Sequence, residues 1–149
     1  MSDIILQKEV YETVCIKRHD GKVLSEFSFN PSDANIVERY DYFLAGMQEL
    51  SEKIKKYEFS KEKSLELDET KKALKEITNE ICQKVNQLLN EDVSDNIFNV
   101  MSPLSPLPSG DYYFIFIVDQ IGNKIRNATG QRIKKIEMKV KKHTSKYHG

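Results

Sequence analysis

The stretch Phe27-Ser28-Phe29-Asn30-Pro31-Ser32-Asp33-Ala34-Asn35-Ile36-Val37-Glu38-Arg39-Tyr40 reads as a strand that ends, a turn, and a helix that begins. Phe27 and Phe29 alternate with Ser28, the period of a half-buried strand. Asn30 offers a side-chain oxygen to exposed helix amides, and Pro31 suits the first helical position, where its missing N–H costs nothing. Asp33 then favours the positive end of the helix dipole. From Ile36 onward Tyr40, Phe43 or Leu44, Met47, Leu50, Ile54 and Tyr57 recur in steps of three and four, the stripe of a helix that faces a core. This spacing predicts a helix over about 31–57.

Upstream, residues 9–29 read as a β-hairpin. Val10, Glu12, Val14 and Ile16 alternate with Tyr11, Thr13, Cys15 and Lys17, and His19-Asp20-Gly21 supplies a turn that tolerates positive φ. A lone hairpin is marginal in water, so its apolar face needs helices to pack on. Downstream, Leu67, Leu74, Ile77, Ile81, Val85 and Leu88/Leu89 mark a second helix over about 64–90, joined by a short link and therefore antiparallel to the first. Ser94-Asp95 starts a short helical turn through Ile97, Phe98 and Val100.

Three of the four prolines fall in Ser102-Pro103-Leu104-Ser105-Pro106-Leu107-Pro108-Ser109-Gly110, which predicts an ordered loop or hinge. Its interleaved leucines also suit a docking strip. Tyr112 to Val118 alone looks like a strand. However, Phe114, Ile117, Ile121, Ile125, Ala128, Ile133, Ile136 and Val140 continue at helical spacing, so a third helix over about 111–141 is favoured, weakened at Gly122 and Gly130. The expected fold is α+β and mostly α: an N-terminal hairpin on a bundle of about three longer helices plus a short helical turn. A basic C-terminal helix completes a single domain over 1–142, and 143–149 reads as a flexible tail.

Formal net charge is zero across 149 residues but unevenly spread: residues 123–149 carry nine Lys or Arg and one Glu. Lys134, Lys135, Lys139, Lys141 and Lys142 form a candidate electrostatic patch, suited to phosphates or to the acidic remainder of the chain. Two cysteines without a paired motif fit a reducing compartment. The N-terminus has no signal-peptide pattern, and the longest apolar run is far below the ~20 residues of a membrane span. The expectation is a cytoplasmic protein that does not enter a membrane.

The residues offer no catalytic constellation. The three histidines sit in a turn and a tail, Cys15 and His19 lack a second ligand pair, and no glycine-rich phosphate loop occurs. Asn127-Ala128-Thr129 matches a glycosylation sequon, which without a secretion signal is a chance match. No enzyme activity, cofactor or metal is expected.

Three features together resemble small tail proteins of phages and prophages of Firmicutes, the tail assembly chaperones and chaperone-like proteins. They are the Phe27–Tyr40 junction, the charged helix pair with Ile81-Cys82-Gln83-Lys84-Val85, and Ser94-Asp95-Asn96-Ile97-Phe98 followed by an aromatic helix and basic tail. The likeness spans roughly residues 22–125. Where similar proteins tend to carry a Phe-Gly-x-Gly type turn, this chain has Leu89-Asn90-Glu91-Asp92-Val93 and the proline run.

The resemblance implies a non-enzymatic protein of the bacterial host cytoplasm that binds the tape measure protein, or another phage tail protein, and self-associates. Candidate partner contacts are Tyr40, Phe43, Met47, Tyr112, Tyr113 and Phe116. The alternatives are a structural component of a tail or capsid, or a nucleic-acid-binding protein using its basic C-terminal helix.

Overall fold

The computed structural model describes residues 2–62 and 67–129. It is mostly helical, with an N-terminal antiparallel hairpin, as the sequence predicts. Strands β1 (Glu12–Lys17) and β2 (Val23–Phe29) pair so that Val14 faces Phe27 and Glu12 faces Phe29. Gly21 takes φ +91° in the connection, and the Arg18 amide donates to Lys22 O at 2.9 Å to close it. Phe29 is fully buried and its ring stacks on Phe27 at 6.1 Å, whereas Val23, nearer the turn, is exposed. The hairpin is thus anchored at its open end and projects at its tip.

The predicted helix over 31–57 is corrected in two ways. It starts later: α1 runs Ile36–Ala45. The reason is local, because Asn30 Oδ1 accepts the Ser32 amide and Asp33 Oδ1 accepts the Asn35 amide. Two successive side-chain turns capture the backbone before a helix can form. The helix is also interrupted at Gly46 and resumes as α2 (Met47–Glu62), five residues past the predicted end. The Gly46 amide is shared between Tyr42 O and Phe43 O, so the break loosens the ladder without severing it. The apolar stripe runs through both pieces: Ile36, Tyr40, Phe43, Leu44, Met47, Leu50, Ile54 and Tyr57 are all buried.

Helix α3 (Leu67–Leu89) lies antiparallel to this pair, since Arg39 Nε donates to Leu88 O at 2.8 Å while Lys53 pairs with Glu80 at 3.2 Å. Asn90, at φ +53°, ends it. The Glu91 amide donates to Asn86 O and the Asn90 amide to Gln87 O, closing a left-handed C-terminal cap. The short helix α4 (Ser94–Phe98) then packs on β2, where Asn96 Nδ2 donates to Glu26 O at 2.7 Å.

Tyr112–Val118 resolves as helix apart from its first residue, α5 (Tyr113–Thr129). Its first amides find carbonyls in the proline loop, Tyr113 N to Ser105 O and Phe114 N to Pro103 O. That loop is therefore an N-terminal cap. Its Leu104 is buried and Leu107 packs against the core, so the leucines face inward. Phe114, Ile117, Ile121 and Ile125 form the buried stripe of α5. The predicted continuation to residue 141, the tail 143–149 and the lysine patch at 134–142 lie outside the described residues, as do residues 64–66 of the second predicted helix. Among the described residues no helix is long and apolar enough to cross a membrane.

Candidate interaction grooves

Tyr40, Phe43, Met47 and Tyr113 are corrected as free contact residues, because all four are core. Tyr40 is essentially fully buried, and its hydroxyl donates to Val118 O at 3.3 Å across the bundle. That approach uses Gly122, whose position would put a Cβ 3.1 Å from the Tyr40 hydroxyl. Tyr113 donates its hydroxyl to Ile97 O at 2.9 Å and meets the Phe98 ring edge-on, joining α5 to α4. Burial pushes the Tyr113 phenol up to about 12. These aromatics carry stability, since a buried hydroxyl with a partner is part of the core.

Tyr112, just ahead of α5, and Phe116, within it, line two different grooves. Tyr112 is half-buried beside α2, stacked on Phe114 with its hydroxyl donating to Glu58 Oε1 at 3.1 Å. Burial first, then the Glu58 carboxylate, pushes its phenol up to about 12, so it is a neutral donor at ordinary pH. Around it a groove of about 590 Å³ runs between α2 and the proline loop. The α2 side is lined from Met47 to Glu62, and Leu104, Pro106 and Tyr112 stand opposite. Sixteen residues of α2 rise about 24 Å.

Lys55, Glu58, Phe59 and Glu62 stand at steps of three, one and three along α2, so they share the face turned to this groove. Phe59 is 58% exposed there. The surface is an apolar strip with a rim of both charge signs. The sequence reading missed Phe59, because it falls off the Ile54–Tyr57 stripe and inside a charged run. That displacement is the available signal: an aromatic off the core stripe of an amphipathic helix has to face something other than its own core.

Phe116 is 42% exposed in a second groove of about 360 Å³, between β1 and α5. Val14, Ile16, Ile117 and Ile121 line it with Phe116, and Lys124 bridges it to Glu12 at 3.5 Å. Among the described residues no group of three or more His, Cys, Asp or Glu is placed to hold a metal ion. Comparison with family models, curated proteins and solved structures finds no match to this chain.

Proposed function

We propose that this protein is a non-enzymatic chaperone of phage tail assembly that sequesters helical segments of the tape measure protein. The class comes from the resemblance carried by the Phe27–Tyr40 junction, the Ile81–Val85 segment and the Ser94–Phe98 turn. The observation that carries the reading is the groove of about 590 Å³ along α2, with exposed Phe59 in its lining. A long amphipathic helix awaiting assembly presents an apolar stripe that aggregates unless covered. A groove with an exposed aromatic and rim charges of both signs accepts such a stripe by helix-in-groove packing.

The test is co-expression with tape measure fragments and capture of the complex, with light scattering as a measure of fragment aggregation. The chain should co-elute with fragments and suppress scattering. The Phe59→Asp variant should fold normally and bind about tenfold or more weakly, the scale of an interfacial aromatic anchor. Failure to bind any fragment, or full binding by Phe59→Asp, overturns the assignment of this groove. Finding the protein as a stoichiometric part of mature particles would favour a structural tail component instead.

A further inference from the structure

The segment ahead of the hairpin exposes Ile4, Ile5 and Leu6 at 95, 87 and 60%. Ile4 and Ile5 are β-prone, exposed apolar surface of this kind is costly in water, and among the described residues no core covers the three. A 3-10 turn at Lys8–Val10 leads from this arm into β1, and the preceding Gln7 is extended. Among the described residues the β1 edge of the hairpin beside it pairs with no further strand. On β2, Glu26 O faces away from β1 and accepts Asn96 Nδ2. Cys15 stands opposite Glu26, so in an antiparallel ladder its backbone groups also face away from the partner strand, and those of Thr13 follow by alternation. These groups border the β1–α5 groove, where Phe116 is exposed.

We propose that residues 3–7 of one copy add as a strand to the open β1 edge of a second copy, seating Ile4 and Leu6 in the β1–α5 groove. The period of two places Ile4 and Leu6 on one face, above Val14, Ile16 and Phe116, and Ile5 on the other. Lys17 at the groove gives Asp3 of the arm an opposite charge. The occupant is a second copy because the chain itself carries both halves of the contact. Each copy donates one arm and accepts one, so a reciprocal pair closes on two-fold symmetry. This inference is independent of the groove along α2.

The experiment is sedimentation of the full chain over a concentration series, beside the double variant Ile4→Asp/Ile5→Asp. The parent should dimerise. The variant should dissociate about tenfold or more readily, with an unchanged circular dichroism spectrum, because the arm lies outside the core. Placing Ile5→Cys in a Cys82→Ala background tests the register, because Ile5 shares the face of Cys15, and mild oxidation should link Ile5→Cys to Cys15 between chains. A parent that stays monomeric at high concentration overturns the proposal. So does a dimer that persists in the double variant, or a cross-link that forms within one chain.

Discussion

The α3–α4 turn and the groove along α2 treat their side chains in opposite ways. At the turn, Asn86 Oδ1 accepts the amides of Val93 and Ser94, both at 2.8 Å, while its Nδ2 donates to Ser94 Oγ at 3.0 Å. At the groove, Phe59 leaves most of its surface in water beside Lys55 and Glu62. One region satisfies its polar groups internally; the other keeps apolar surface unspent. Stability concentrates where polar groups find partners within the chain. Arg39 belongs to the first kind, holding Leu88 O on one side and Asp33 on the other at 3.1 Å. The Asn35 amide, and then Arg39, hold the Asp33 carboxyl below its ordinary value.

The contrast breaks most visibly at Asn86. Asn86→Ala leaves two part-buried amides without their acceptor and should cost about 2–3 kcal/mol in urea unfolding. A loss within about 0.5 kcal/mol would show that water replaces the side chain there. Next in size is a pair of glycines. Gly122→Ala must displace the rigid, buried Tyr40 ring and should destabilise by about 1–2 kcal/mol despite better helix propensity. Gly46→Ala meets only the flexible end of Lys84, in helix-compatible backbone, and should gain up to about 1 kcal/mol.

Tyr113→Phe should cost about 0.5–1.5 kcal/mol near neutral pH by removing the bond to Ile97 O. It also has a pH signature. The folded state holds the Tyr113 and Tyr112 phenols protonated up to about 12, against an ordinary value near 10. Their contribution is full below the ordinary value and is lost as pH rises from about 10 towards 12. The parent's stability should therefore fall across that window, and less steeply in Tyr113→Phe. Smallest of all, Phe59→Ser should move stability by no more than about 0.5 kcal/mol in the same urea assay. A larger loss would place Phe59 in the core and remove the contrast with Asn86.

The legible part of this chain was its periodicity. The stripe from Ile36 to Tyr57 and that from Ile77 to Leu89 are buried as their spacing requires, and α4 forms within its predicted turn. Phe27 and Phe29 face the core together, as alternation demands. The helix start at Ile36 was hidden because Asn30 and Asp33 each suit a cap and a turn equally well, and the turn won. Among the aromatics, Tyr40 and Tyr113 looked like contacts but have buried acceptors at Val118 and Ile97. No local signal tells a core tyrosine from a docking one.

By itself the sequence determined which side of each element is apolar and that the chain turns back at Gly21. Those properties depend on residues within a few positions of each other. Only the tertiary structure decided which apolar sides are covered. Arg39 meets Leu88 across 49 positions, and Tyr40 meets Val118 across 78. A side-chain period names the face that must be buried, but the neighbour that buries it arrives from a distant part of the chain. Phe59 keeps 58% of its surface exposed, off the stripe that those distant neighbours bury.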